Sequence, residues 1–318
     1  MEGSIVVQQA SAVSTGSRAA ELFLEWGKHI RGADRTKDTY IRNTKQFIMY
    51  LYERGINRPQ EQDVEDYLDF LMQEHKPATV NSYRQGIRAF FRWTEKQGLY
   101  PDIAKDVRGQ KVDAGHAKEA LTAKQAKALL DSVDRTTLKG KRDYAMLALM
   151  LTAGLRTIEV IRADRGDLRT KTNPKTGEDF LALYVQGKGR TDKKEYVKVA
   201  PQVEEALNEY LRTRGTVNAE EPLFTSTAHR NTGGRLTTRS ISRVVKEQLV
   251  SIGLNSDLYT AHCLRHTTAT LNLLGEGTLQ ETMELMRHKN PETTLIYAHN
   301  LDRAESQSEA RVAGAIFA

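Results

Sequence analysis

The chain has 318 residues, of which 39% are hydrophobic and 28% charged, and its formal net charge is +6. Its length favours two domains, and its seven prolines and 22 glycines are too few for a disordered or fibrous chain. The single cysteine excludes an intramolecular disulfide framework and a cysteine-rich zinc module, and it fits a reducing compartment. The positive charge favours a polyanionic partner.

The N-terminal sequence predicts no targeting segment. Residues 1–14 are small and polar, which is typical of a flexible arm, and they lack the basic and long apolar regions of a signal peptide. No apolar run in the chain approaches the roughly 20 residues needed to cross a bilayer. The expected location is therefore the cytoplasm.

Residues 15–98 are predicted to form an all-α bundle. Apolar residues recur there at steps of three and four in four successive segments. Pro77 is placed to open the fourth helix, and Gly55 and Gly98 are placed to end the second and the fourth. Four helices with short connections form a compact unit.

Basic residues lie along this predicted bundle. Arg84, Arg88 and Arg92 follow one another at intervals of four, which places them on one helix face, and Lys45 lies in a second basic stretch. Two interpretations are open: a solvated helix face, or a face that contacts DNA. Taken alone, this stripe of three arginines favours the solvated face. The DNA interpretation depends on the chemistry of the rest of the chain.

Residues 99–120 are predicted to be a linker, because proline and glycine interrupt a segment with little periodicity. A second domain is predicted over residues 121–300, with a very apolar helix at 144–155 as its buried centre. Residues 301–318 are predicted to form a C-terminal helix and tail, which docks either on its own domain or on a neighbouring protomer.

Two short apolar runs, 181–185 and 197–199, are predicted to pair as a β-hairpin whose connection, QGKGRTDKK, is rich in glycine and lysine. The chain is thus predicted to be mainly α with a small β-hairpin or sheet. Further helices are predicted over residues 122–133, 202–212, 238–252, 262–274, 279–286 and 301–313.

Residues 259–299 bring cations, imidazoles and a tyrosine hydroxyl close together in sequence. Arginine and lysine bind phosphate, histidine transfers protons, and tyrosine can attack phosphorus. This combination suits phosphoryl transfer at a DNA backbone. The segments with these groups are Gly154-Leu155-Arg156, Gly187-Lys188-Gly189-Arg190, His262-Cys263-Leu264-Arg265, Arg287-His288 and Thr294-Leu295-Ile296-Tyr297.

In this order, the motifs resemble those of the tyrosine recombinases, or phage integrase family. The resemblance extends over about residues 15–305 and is greatest to the compact Xer-type recombinases and mobile-element integrases. It implies a helical, SAM-like core-binding domain followed by a catalytic domain.

The resemblance assigns Arg156 and Arg265 as the catalytic arginines that bind the scissile phosphate by their forked guanidiniums. Glu159, one helical turn after Arg156, resembles a residue that orients it. For either arginine taken alone, a structural ion pair is the simpler interpretation.

Three further residues match catalytic positions of the family. Lys188 matches the hairpin lysine that protonates the leaving 5′ oxygen, with Lys193 and Lys194 as alternatives. His262 matches a position that accepts the tyrosine proton or binds the phosphate. His288 matches a phosphate hydrogen-bond donor, although an arginine precedes it where glycine is usual, which predicts a different local backbone or exposure.

Tyr297 is predicted to be the nucleophile, because it alone of the 12 tyrosines has the family's downstream position and flanking residues. A free phenol titrates near pH 10, so neighbouring cations or a base must activate it. Core packing is the alternative role for a tyrosine after two apolar residues.

A zinc site at His262, Cys263 and His266 is a weaker hypothesis, because Arg265 lies among these residues and would repel a cation. His266 is predicted to be a packed histidine. The resemblance implies chemistry that needs no metal, ATP or other cofactor.

The resemblance also implies a 3′-phosphotyrosine intermediate, a Holliday junction and a homotetramer on double-stranded DNA with inverted-repeat core sites. An assembly that includes a second, different recombinase is also possible. The role is then integration or excision of a mobile element, or resolution of chromosome or plasmid multimers. Two other functions remain open: a type IB topoisomerase-like enzyme and a DNA-binding protein without catalysis.

Overall fold

The computed structural model describes most of the chain, in seven stretches: residues 22–32, 34–112, 119–187, 190, 192–215, 218–305 and 307–317. The contacts divide the chain into two compact units, residues 1–115 and 116–318. The predicted arm at residues 1–14 lies outside the described stretches. None of the described helices is long and apolar enough to span a bilayer.

The first unit is a helical bundle of α1 (22–29), α2 (Asp34–Glu53), α3 (Glu61–Met72) and α4 (Pro77–Lys96). Their apolar faces share one core, in which Trp26, Phe47 and Phe91 are almost fully buried. Helices α2 and α4 pack closely at Gly86, where a Cβ would lie 3.1 Å from the backbone oxygen of Tyr40. The helical bundle predicted from the apolar periodicity is confirmed.

The first half of the predicted linker, residues 99–120, packs into the first unit. Tyr100, Ile103, Ala104 and Val107 are buried in the core of the helical bundle. The segment is irregular, so its apolar residues follow no helical or strand period. Sequence periodicity therefore could not show that they are buried.

The second unit contains a larger core around a buried helix. Its described helices are α5 (Ala123–Asp131), α6 (Leu138–Ala153), α7 (Thr157–Arg162), α8 (Pro201–Arg214), α9 (Thr238–Ser251), α10 (Ala261–Leu274), α11 (Leu279–Met286), α12 (Glu292–Glu305) and α13 (Ser308–Phe317). Residues along the whole circumference of α6 are buried, which makes it the predicted centre of this unit. It begins six residues earlier than the predicted helix at 144–155.

The described β structure is one antiparallel sheet of β1 (Leu168–Thr172), β2 (Asp179–Val185) and β3 (Glu195–Lys198), in that order. The predicted hairpin is confirmed, with Leu183 opposite Val197. Strand β1 was missed, because its sequence LRTKT is mostly polar and its side chains are not buried in the core. It is held by backbone pairing with β2, and of its side chains only the partly buried Leu168 packs against the core.

The single C-terminal helix predicted over residues 301–313 is wrong. Helix α12 ends at Glu305 and α13 begins at Ser308. The sequence Ser306-Gln307-Ser308 favours helix starts over helix interiors, which agrees with a break there. None of the described side chains of α13 is buried, and Phe317 is 85% exposed.

Candidate active site

An open cleft of about 430 Å³ in the second unit collects the predicted catalytic residues. Arg156, His262, Arg265, His288 and Tyr297 all line it. These residues are separated by up to 141 positions in sequence (297 − 156), so the fold and not the local sequence brings them together.

Arg156 is fixed by the start of α7. Glu159 accepts two hydrogen bonds from it, one from the backbone NH at 2.8 Å and one from the guanidinium at 2.9 Å. The Glu159 carboxylate is fully buried, which by itself raises its pKa, but Arg287, Arg156 and Arg265 more than offset this, so its pKa is lowered. A charged carboxylate thus orients the guanidinium of Arg156, which stays partly exposed on the cleft.

Arg265 projects from α10 and is almost fully buried. Its guanidinium donates to the carbonyl oxygens of Gly154 and Met286. Burial, with Arg156 and Arg287 nearby, lowers the pKa of Arg265 to about 9. This guanidinium joins the C-terminal ends of α6 and α11, and Arg265 also lines the cleft.

Two features of the C-terminal end of α6 require glycine at position 154. It ends α6 in the left-handed conformation, with φ of 58°, which disfavours other residues. A Cβ at this position would also lie 2.8 Å from the sulfur of Met286. The Gly-Leu-Arg motif therefore combines a tight helix end with the placement of Arg156.

His288 follows α11 and is held by Thr294. Its Nδ1 lies 2.9 Å from the hydroxyl oxygen of Thr294. Burial lowers the pKa of His288 to about 4, and the positive charges of Arg265, Arg156, Arg287 and His262 act in the same direction. The imidazole is therefore neutral at physiological pH, and it serves as a hydrogen-bond donor or acceptor and not as a cation.

His262 and His266 lie one turn apart on α10, with ring centroids 4.5 Å apart. His262 is exposed in the cleft, whereas His266 is buried beside it. The ring of His266 also lies 5.3 Å from that of Tyr297. The predicted packed histidine thus lies against both the His262 ring and the Tyr297 ring.

Tyr297 lies on α12 and is only 6% exposed. Its ring packs with Ala269 and Met286 in a small apolar cluster and lies parallel to His288, with centroids 6.4 Å apart. Burial raises its pKa, although Arg265 and Arg156 act in the opposite direction. The phenol is protonated at neutral pH, so attack requires a proton acceptor or closer cations.

The connection between β2 and β3 contributes Gly187 and Arg190 to the cleft. Arg190 is paired with Glu195, whose carboxylate lies 2.7 Å from its guanidinium. Lys188, the predicted proton donor, lies outside the described residues.

The two alternative lysines are both paired with acidic residues. Lys193 lies 2.6 Å from the carboxylate of Asp164 and 2.5 Å from that of Asp167. Lys194 is exposed and lies 3.1 Å from the carboxylate of Asp192. Neither lysine lines the cleft that contains Tyr297.

Arg287 is a cleft residue that sequence reasoning noted only as a departure from the family pattern. Its side chain is 7% exposed and its guanidinium donates to Glu159 at 2.9 Å. An arginine next to His288, where glycine is usual, was the available signal. Its partners Ala153, Gly154 and Glu159 lie 128 to 134 residues away, so the signal could not be interpreted without the fold.

The sequence pattern of the phage integrase family matches residues 119–304, and that of its N-terminal SAM-like domain matches residues 22–100. The chain belongs to the phage integrase family. It is therefore a tyrosine recombinase, an enzyme of DNA recombination, and the predicted family and fold class are confirmed.

Known tyrosine recombinases resemble this one over most of its length. XerC of Salmonella typhi is 30% identical over 270 residues, which span 83% of this chain and 84% of the relative. XerC of Myxococcus xanthus is 30% identical over 273 residues, which span 82% and 86%. The fold resembles that of XerH in a post-cleavage complex with the palindromic difH substrate, with a TM-score of 0.70, 21% identity and coverage of 86% and 80%.

The predicted DNA-binding residues of this tyrosine recombinase differ in their surroundings. The Nε of Arg84 donates to the backbone oxygen of Val107 at 2.6 Å, and burial, with Arg88 nearby, lowers the pKa of Arg84. Arg88 is half-buried. Arg92 and Lys45 are exposed, so these two are the more accessible to a phosphate.

The zinc hypothesis has no structural support in the part of the recombinase that the structure describes. No group of three or more histidine, cysteine or acidic side chains there could hold a metal ion. Cys263 is fully buried.

Proposed function

We propose that this tyrosine recombinase cuts and rejoins DNA at specific sites through a covalent bond between Tyr297 and a 3′ phosphate. The observation that carries the proposal is the position of Tyr297, buried in the wall of a cleft beside Arg265 and His288. A scissile phosphate in this cleft meets a nucleophile, cations and imidazoles together.

Arg156 and Arg265 bind the phosphate in this proposal. Their guanidiniums carry the charge and the planar geometry that suit non-bridging phosphate oxygens. Both are tied to rigid groups, Glu159 for the first and two helix-end carbonyls for the second. Because these cations are already in position when the reaction begins, they stabilise the added negative charge of the transition state.

In the proposed cleavage step one proton leaves the attacking oxygen and another is given to the leaving oxygen. The phenol oxygen of Tyr297 bonds to phosphorus as its proton leaves to a base, for which His262 is the candidate. The bond from phosphorus to the 5′ oxygen breaks, and that oxygen takes a proton from Lys188. Neutral His288 donates a hydrogen bond to the phosphate.

Strand exchange follows if the free 5′ hydroxyl attacks the phosphotyrosine of a partner duplex, which restores a phosphodiester and releases Tyr297. The proposed assembly is four protomers on two duplexes with inverted-repeat core sites, through a Holliday junction. The apolar residues Val312, Ile316 and Phe317 of α13 are exposed, which supports docking of this helix on a neighbouring protomer. The product is an integrated or excised mobile element, or a resolved chromosome or plasmid multimer.

The test uses nicked duplexes with a randomised pair of inverted repeats, incubated with the protein in the presence of a metal chelator. A nick next to the cleavage point lets the short 5′ fragment leave, so the covalent complex accumulates. Wild type is expected to form an adduct that survives denaturation, whereas Tyr297→Phe binds the duplex and forms none. Tyr259→Phe, which removes a hydroxyl bonded to Glu119, is the control and retains the adduct.

Peptide mapping of the adduct identifies the attached residue. A nucleotide on any residue other than Tyr297, or an adduct formed by Tyr297→Phe, contradicts the proposal. Binding without any adduct by wild type supports a DNA-binding protein without catalysis. Relaxation of a supercoiled plasmid that lacks a selected site supports a topoisomerase.

A further inference from the structure

Arg287, which lines the cleft, forms four hydrogen bonds. Its guanidinium donates to Glu159 at 2.9 Å and to the carbonyl oxygens of Ala153, Gly154 and Leu285 at 3.2, 3.2 and 2.8 Å. Its side chain is only 7% exposed, and both terminal nitrogens of its guanidinium donate to these acceptors.

These acceptors belong to two different helix ends. Ala153 and Gly154 end α6, and Leu285 lies in the last turn of α11. The carbonyl groups of a helix C-terminus lack intrahelical partners and carry partial negative charge, so a cation stabilises them. One guanidinium therefore joins the helix that precedes Arg156 to the helix that precedes His288.

Glu159 links the same guanidinium to Arg156. One carboxylate oxygen accepts from Arg287 and the other from the guanidinium of Arg156. The Gly154 carbonyl likewise accepts from both Arg287 and Arg265. Arg287 thus shares a partner with each of the two arginines proposed to bind the phosphate.

The backbone at Arg287 is in the left-handed conformation, with φ of 54°. This conformation favours glycine, and it costs conformational free energy for an arginine. The four bonds of the side chain offset this cost, which indicates that the guanidinium and not the backbone is the reason for an arginine here.

We infer that Arg287 is a positioning residue, which fixes Arg156 through their shared carboxylate and fixes His288 through the end of α11. The inference rests on the proposed function of these residues at the phosphate. In this inference Arg287 acts through Arg156 and His288 and not on the reacting atoms.

The charge of Arg287 also affects the histidine beside it. Positive charge from Arg287 is one of the causes that lower the pKa of His288 to about 4, after burial and the charges of Arg265 and Arg156. The ionisable groups that act on His288 or line a pocket with it come from several elements. Besides Arg287 they include Arg265, His262 and His266 of α10, Arg156 before α7, Tyr297 of α12, Glu284 of α11, Glu195 of β3, Arg190 and Lys194 before β3, and Lys289.

Two variants separate the geometry of Arg287 from its charge. Arg287→Gly suits the left-handed backbone but removes both the bonds and the charge. Arg287→Lys keeps the charge but cannot reach four acceptors with one ammonium. The control is Arg214→Ala, because Arg214 is similarly buried and donates to two carbonyls and to Glu221, away from the cleft.

The first measurement is the rate of covalent adduct formation on the nicked duplex at saturating DNA, together with the affinity for DNA. Arg287→Gly and Arg287→Lys are both expected to lower the rate roughly 10- to 100-fold with little change in affinity, because Arg156 is no longer held in place. Arg214→Ala is expected to react at the wild-type rate.

The second measurement is the titration of His288 by NMR of the full chain labelled in its histidines, without DNA. The midpoint is expected to rise from about 4 toward the ordinary value in Arg287→Gly and to remain low in Arg287→Lys. This measurement does not depend on DNA cleavage. A wild type that forms no adduct therefore defeats the proposed function, while the titration still tests Arg287.

Wild-type adduct rates in both variants overturn the inference, as does an unchanged His288 midpoint in Arg287→Gly. A wild-type rate in Arg287→Lys alone shows that charge suffices and overturns the positioning role. If Arg287→Gly does not fold, as judged by circular dichroism, the adduct rate of Arg287→Lys is compared with that of Arg214→Ala. A lower rate in Arg287→Lys supports the inference, and an equal rate overturns it.

Discussion

At the scale of single residues, the cleft is defined by an excess of buried positive charge. Three guanidiniums, those of Arg156, Arg265 and Arg287, act on the buried carboxylate of Glu159. Burial is the main cause of the low pKa of His288 and of Arg265, and each neighbouring cation lowers these pKa values further. A bound phosphate would supply the missing negative charge.

The low pKa of His288 predicts how stability changes with pH. The unfolded chain binds a proton at this histidine near pH 6.5, whereas the folded chain binds it near pH 4. Between these values the unfolded state holds more protons, so the free energy of unfolding rises with pH, by at most about 1.4 kcal/mol per pH unit from this group.

Urea denaturation of wild type and His288→Asn at pH 4.5, 5.5, 6.5 and 7.5, chosen to span roughly that window, measures this effect. The variant is expected to show the shallower pH dependence, because asparagine does not titrate. Equal slopes for the two proteins would contradict the pKa assigned to His288.

At the scale of elements, an irregular segment is held to a helix by side chains and not by periodic packing. The amide of Asn81, on α4, accepts from the backbone NH of Gln110 at 2.7 Å and donates to its oxygen at 2.8 Å. Arg84, one turn later, donates to the Val107 oxygen at 2.6 Å. These bonds satisfy backbone groups that no strand or helix partner satisfies.

Asn81→Ala is therefore expected to loosen residues 105–112 and to lower the free energy of unfolding by about 1–3 kcal/mol, because it leaves part-buried backbone groups unsatisfied. Limited trypsin digestion measures the loosening directly, since Arg108 and Lys111 are exposed in this segment. Gln85→Ala, at an exposed position of the same helix, is the control. Equal digestion rates for the two variants would contradict the role of Asn81.

At the scale of the whole molecule, the net charge of +6 acts through those cations that remain accessible. DNA binding releases counterions in proportion to the phosphates contacted, so affinity is expected to fall steeply with salt. Arg92 is exposed, whereas Arg84 already serves as a donor within its own unit. These two members of the predicted stripe should therefore respond differently to substitution.

Arg92→Ala is expected to reduce the slope of log affinity against log salt by about 1, which corresponds to one phosphate contact. Arg84→Ala is expected to leave that slope nearly unchanged and to lower thermal stability instead. Fluorescence anisotropy at several salt concentrations measures both slopes. A flat profile for wild type, or equal slopes for wild type and Arg92→Ala, would contradict the proposed DNA face.

The sequence by itself determined most of the helices, the hairpin and the family. Apolar periodicity requires only neighbours three or four residues away, so α4, α9 and α10 were predicted to within a few residues. The motifs around Arg156, Arg265 and Tyr297 are local as well, and they sufficed to indicate a tyrosine recombinase.

Only the tertiary structure decided which groups meet. Strand β1 and residues 100–107 carry no period that could reveal their partners, because backbone pairing and irregular packing leave no regular pattern in sequence. Arg287 is the clearest case. Its carboxylate partner Glu159 lies 128 residues away, so its role depends on a contact that no local pattern can predict.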